Sequence, residues 1–99
     1  MNMQAMLKQA QALQKDMLKV KNELDNTEFT GESSLVKVTM KGTKELIKVT
    51  IDSKDGLDAD DIEMLEDMIM VAMNDAVKKA ENDKEQRLGK YSQGLTGLM

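Results

Sequence analysis

LVKVTMKGTKELIKVTID, residues Leu35–Asp52, decides how the chain is read. Val36, Val38 and Met40 alternate with Lys37, Thr39 and Lys41, the two-residue period of a strand with one buried face. After Gly42 the alternation resumes. Ile47, Val49 and Ile51 fall on one face, and Leu46, Lys48 and Thr50 on the other. Lys41-Gly42 marks a tight turn, so the stretch predicts an antiparallel hairpin. Its four lysines face only Glu45 and Asp52 within the stretch, in a chain whose net charge is −4. Lysines on the polar face and edge of a strand are solvated and discourage edge-to-edge aggregation.

Working outward, the preceding segment NMQAMLKQAQALQKDMLKVKNEL carries a heptad pattern. Met3, Ala10, Met17 and Leu24 occupy one position, and Met6, Leu13 and Val20 the other. This narrow apolar stripe predicts a helix from about Asn2 to Asn26, packed on its own hairpin or on a partner helix. Between helix and hairpin lies EFTGESS, where Phe29 and Thr30 have β character and leave room for a third strand. Beyond the hairpin, DSKDGLDADDIE is a turn leading to a helix start. Asp58 or Asp60 can act as N-cap, with Asp61 or Glu63 three residues on. Ile62, Leu65, Ile69, Ala72, Ala76 and Ala80, widened by Met68, Met73 and Val77, predict a helix to about Arg87 with a broad buried face. Gly89, Gly94 and Gly97 mark a helix end and a flexible tail. The expected organisation is one domain over residues 1–88 and a tail over residues 89–99.

Composition excludes several chemistries. The 99 residues contain no cysteine and no histidine, which removes thiolate nucleophiles, the commonest general base and the commonest zinc ligand. No signal-peptide core and no run of about 18 apolar residues is present, so a soluble cytoplasmic protein with no membrane partner is expected. The acidity is concentrated: residues 52–67 hold eight carboxylates against Lys54. Asp52, Asp55, Gly56 and Glu63 echo a calcium loop. The register fails, because Lys54 takes the third position and glycine the fifth instead of the sixth. Helix capping accounts for these carboxylates. Pairs such as Glu66 and Asp67 lack an apolar pocket to shift a pKa. No enzyme activity, cofactor, metal site or small-molecule substrate is therefore expected. The ten methionines mostly fall at core-facing helix positions, although Met64 and Met70 lie off the stripe and are candidate contact residues.

Two polar surfaces are candidates for binding. On the first helix Gln4, Lys8, Gln11, Lys15, Lys19 and Asn22 form one ridge without an acid, offering ammonium groups for phosphates and amides for base edges. Asp16 and Glu23 lie on another flank. On the second helix Lys78, Lys79, Lys84, Arg87 and Lys90 are interleaved with Glu81, Asp83 and Glu85. An up-and-back chain would bring the free ends of both helices together, away from the acidic turn.

MLKQAQALQKDM in the first helix, TGESSLVKVTMKG in the strands, IDS with LEDMIMVAMNDAVKKAE in the second helix, and GKYSQGLTGLM at the end together resemble the YbaB/EbfC family of bacterial nucleoid-associated DNA-binding proteins. The resemblance covers nearly the whole chain. It implies an α+β fold of order α-β-β-β-α, with the extra strand at Glu28–Ser33. It also implies a tweezer-like homodimer with projecting helices that grip double-stranded DNA. Carried over by position, the implied DNA-binding residues are Gln4, Lys8, Gln9, Gln11 and Lys15 of the first helix tip, and Lys78, Lys79, Lys84 and Arg87 of the second. The leading expectation is a non-enzymatic protein of the nucleoid that neutralises phosphates with lysines. The alternatives are a prefoldin-like helix–hairpin–helix chaperone and a coiled-coil adaptor for protein partners.

Overall fold

The computed structural model describes residues 2–97, with side chains as far as Tyr91. The elements run α1 (Met3–Asp25), β1 (Glu28–Ser33), β2 (Val36–Lys41), β3 (Leu46–Ile51) and α2 (Ile62–Gly97). This is the α-β-β-β-α order of an α+β fold, and the third strand lies where the family resemblance implies it. A 3-10 turn, Ala59–Asp61, leads into α2.

The strands form one antiparallel sheet in the order β1-β2-β3. Register explains the lysine-rich hairpin. Glu28 opposes Lys41 and Glu32 opposes Lys37 across the β1–β2 ladder, and Lys37 Nζ lies 4.0 Å from Glu32 Oε1. Opposite charges directly across a ladder stabilise it by about 0.2–1 kcal/mol. Two of the four hairpin lysines, Lys37 and Lys41, thus face glutamates supplied by β1.

On the other face Val36, Val38 and Met40 are buried against Ala72 and Ala76 of α2, with Phe29, Leu65, Ile69 and Met73 around them. Each such apolar side chain contributes roughly 1.5–3 kcal/mol when fully buried. The small residues Ala72, Ala76 and Ala80 recur every fourth position, so one stripe of α2 carries no bulk and approaches the sheet closely. Gly31 of β1 completes that approach, because a Cβ there would lie 2.6 Å from the backbone nitrogen of Ala76. Gly42 has the same role at the other end of the sheet, where its missing Cβ admits the backbone carbonyl of Leu24.

Two local expectations are corrected. The β2–β3 connection is not a two-residue turn at Lys41-Gly42. It runs through Gly42–Glu45, closed by Lys44 N–H donating to the Lys41 carbonyl at 2.7 Å and Lys41 N–H to the Glu45 carbonyl at 3.0 Å. Lys44, not a glycine, takes the left-handed conformation, with φ 72°. A register shift between Thr39 and Met40 also makes Leu46 the partner of Met40. Leu46 therefore joins the apolar face instead of the Lys48 and Thr50 face, since residues directly across a ladder share a side.

α2 packs on β1 and β2 and leaves β3 uncovered. Leu46, Ile47, Val49 and Ile51 are 41, 45, 42 and 37% exposed, although their alternation is that of a core strand. An apolar, unpaired edge of this kind is one that proteins normally cover.

At the start of α2, the Asp58 N–H donates to Asp61 Oδ2 at 2.8 Å, and Asp58 is the N-cap of the 3-10 turn. The carboxylates lie where the positive end of the helix dipole favours them. The helix does not stop near Arg87. It passes through Gly89 and continues to Gly97. One glycine in a helix costs about 1 kcal/mol relative to alanine, which is too little to end it when no proline follows. Burial of Tyr91, 7% exposed, offsets that cost.

The chain is long and thin, 71 × 21 × 13 Å, with a radius of gyration of 20.0 Å. A compact domain of this length would have one of about 13 Å. The excess comes from the helices, which span roughly 35 Å and 54 Å at 1.5 Å per residue.

Candidate nucleic-acid interface

α1 is the shorter of the two long helices. Asn2 caps it, accepting from the Gln4 N–H at 3.0 Å. Asn26 and Thr27 close the other end, each donating a side-chain hydrogen bond back to the carbonyl four residues earlier, at 2.8 Å and 2.7 Å. Leu24 is buried, Met17 and Val20 are half-buried, and every residue from Met3 to Asp16 is exposed. The heptad stripe thus meets the rest of the chain at its C-terminal end and runs free of it at the other.

That free length carries Gln4, Lys8, Gln9, Gln11 and Lys15, all exposed. No carboxylate occurs before Asp16, and none of the ion pairs among the described residues involves α1. With 3.6 residues per turn, Gln4, Lys8, Gln11 and Lys15 fall within one narrow sector of the helix. Gln9 lies on a different flank. Lys8 and Lys15 are therefore not held by a carboxylate among the described residues, on a rod of about 11 Å diameter that can approach a phosphate backbone.

The second group divides. Because α2 continues to Gly97, Lys78 and Lys79 lie near its middle and not at a tip. Lys79 is tied to the body: its Nζ donates to the Thr30 carbonyl at 2.9 Å and pairs with Asp75 at 3.2 Å. Arg87 Nε lies 2.8 Å from Asp83 Oδ2, one turn back on the same helix. Lys78 and Lys84 are exposed without such a carboxylate partner among the described residues. The free cations of α2 are thus fewer than its lysine and arginine content suggests.

At the foot of α1 lies a crevice of about 200 Å³ where three elements meet. Lys21 and Asp25 come from α1, Gly42 and Lys44 from the β2–β3 turn, and Glu81 and Lys84 from α2. Lys44 pairs with Glu81. Lys44 is missed by a reading that treats hairpin lysines as solvated strand charges. Its position in the turn, and not in a strand, is the available signal.

The acidic segment lies at the other end of the sheet. Asp52 N–H donates to the Leu35 carbonyl at 2.8 Å, beside the β1–β2 turn, whereas Gly42 and Leu24 meet at the opposite edge. The acidic segment and the unpaired α1 lysines Lys8 and Lys15 are thereby held apart along the molecule.

The YbaB/EbfC DNA-binding family matches residues 1–95. The chain belongs to that family. Among its relatives, a nucleoid-associated protein of Enterococcus faecalis is 42% identical over 99 residues, covering 98% of this chain and 94% of that protein. A nucleoid-associated protein of Lactococcus lactis subsp. cremoris is 45% identical over 97 residues, covering 96% and 97%. The crystal structure of an uncharacterized protein from Helicobacter pylori superposes with a TM-score of 0.69 at 23% identity, over 87% of this chain and 91% of that one. That superposition speaks to the fold alone.

Proposed function

We propose that the chain is a non-enzymatic, nucleoid-associated DNA-binding protein of the bacterial cytoplasm, acting as a homodimer that grips duplex DNA through the polar ridge of α1. The observation that carries this reading is the exposed, acid-free surface of Met3–Lys15, with Lys8 and Lys15 unpaired among the described residues. Membership of a DNA-binding family supports it, as do the names of the Enterococcus and Lactococcus relatives. Phosphate neutralisation by the lysines supplies the affinity, and Gln4 and Gln11 supply amides that can reach base edges. Lys78 is the second-helix residue free to add to it; Lys84 lies apart, in the crevice at the foot of α1, and Lys79 and Arg87 are already paired with neighbours.

The uncovered face of β3 supports the dimer. Leu46, Ile47, Val49 and Ile51 form an apolar strip on an unpaired edge. Ile62, Met64, Met70 and Val71 of α2 are also exposed. A second copy laid along this edge removes both the apolar surface and the unpaired backbone groups. Two copies present two α1 rods, and their symmetry favours evenly spaced contacts on DNA.

The test is a gel shift with Lys8→Glu/Lys15→Glu, with the oligomeric state measured alongside. The variant is expected to remain dimeric and to lose the shift. A variant that shifts duplex like the wild type would remove α1 from the interface. The exposed tip residues Met3, Met6 and Leu7 favour a second reading, capture of unfolded chains. Binding of that kind is apolar and insensitive to added salt.

A further inference from the structure

We infer that the crevice at the foot of α1 is a second seat for a backbone phosphate of duplex DNA, with Lys44 as its exchangeable ligand. The inference rests on the DNA-binding reading and assigns a site separate from the α1 ridge.

Three observations carry it. First, Lys21, Lys44 and Lys84 reach one crevice of about 200 Å³ from three different elements. Helix periodicity does not produce such a meeting; the fold does. Asp25 and Glu81 are the carboxylates that line it. Second, Lys44 occupies a left-handed backbone conformation, φ 72°, which favours glycine or asparagine. The same turn does contain a glycine, but at Gly42, where close approach to Leu24 requires it. A lysine at the left-handed position is thus locally unfavourable, and its side chain is what the position gains. Third, Lys44 and Glu81 are each 45% exposed. A half-exposed ion pair is weak and open to competition. A phosphate offers more acceptor atoms than a carboxylate and forms stronger charge-assisted bonds with an ammonium group.

In the free protein Glu81 holds Lys44. When a phosphate enters between Lys21, Lys44 and Lys84, Lys44 exchanges the carboxylate for it. Lys21 lies about 120° round α1 from Lys15, at 3.6 residues per turn, so seat and ridge are different surfaces. Their contributions to binding are therefore expected to add.

The experiment is salt-titrated duplex binding by the full chain, with thermal melting of each variant. Lys21→Gln/Lys84→Gln is expected to make the log–log salt slope shallower, by about 0.9 for each phosphate no longer neutralised. Glu81→Gln frees Lys44 and is expected to tighten binding more than Glu85→Gln, which changes net charge equally outside the crevice. Lys44→Gly is expected to weaken binding while melting no lower than the wild type, because glycine suits the turn. The seat is overturned if Glu81→Gln matches Glu85→Gln, or if Lys21→Gln/Lys84→Gln keeps the wild-type slope. It is also overturned as a DNA site if inorganic phosphate raises the melting temperature through these lysines while the duplex slope ignores them. Wild-type protein that binds no duplex at any salt would instead overturn the functional reading itself, and the seat with it.

Discussion

Gly31 lies directly beneath the carbonyl oxygen of Ala72, and no side chain fits between β1 and α2 at that point. The contact joins the strand that the hairpin lacks to the helix that covers the sheet. It depends on a missing atom, and the nearby backbone cannot yield as a flexible side chain would. Gly31→Ala is therefore expected to destabilise the fold by about 1–3 kcal/mol, the usual cost of overpacking a close contact. For a chain of this length each kcal/mol lowers the melting temperature by roughly 4–8 °C. Calorimetry or a thermal melt by circular dichroism checks it.

Gly89 is the opposite case. α2 passes through it, and a Cβ there would meet nothing within 4 Å. Gly89→Ala is expected to stabilise the protein by about 0.5–1 kcal/mol. A glycine that ended the helix in a left-handed conformation would give a loss on the same substitution. The sign of the change in melting temperature separates a continuous α2 from a helix that stops near Arg87.

Met40 is 1% exposed and packs with Val36, Val38, Ala72 and Ala76. Met40→Ala is expected to cost about 2–5 kcal/mol, from the transfer energy forfeited and the cavity left behind. Chemical denaturation reads this as a lower midpoint at unchanged slope.

The apolar strip on β3 bears on assembly. Val49→Lys places a charge in the middle of that strip, where a partner copy would have to bury it. If the proposed dimer forms along this strip, the substitution is expected to leave a folded monomer, since Val49 is already 42% exposed in the single chain and contributes little to its core. Sedimentation or light scattering reads the mass. A Val49→Lys protein that remains dimeric would place the interface elsewhere.

Much of the fold is legible in the residues. The alternation of Val36, Val38 and Met40 identifies β2 and its buried face, and the heptad positions of α1 predict its length to within a residue or so. β1 is only partly legible, because Gly31 breaks its β character. That glycine answers to the alanines of α2, some 40 residues away in sequence, and the family likeness supplies what local propensity does not. The bulge that moves Leu46 to the apolar face leaves no mark in the alternation, since inserting one residue mimics a longer turn. Propensity alone misplaces the end of α2, because it weighs the glycine without the burial of Tyr91. For the candidate site, the acid-free ridge of α1 is visible as a spacing. The Lys79–Asp75 and Arg87–Asp83 pairs are i,i+4 contacts that helical spacing on α2 offers, whereas the bond from Lys79 to Thr30 and the Lys44–Glu81 pair depend on tertiary placement. Counting cations along α2 therefore overstates how many are free.

The affinity of the protein for duplex DNA as a function of salt tests the central claim most directly. Gripping through Lys8 and Lys15 predicts a straight log–log plot with a negative slope of about 0.9 per phosphate neutralised, made shallower when both lysines are changed to glutamine. A flat plot, or a slope indifferent to those two lysines, would contradict it.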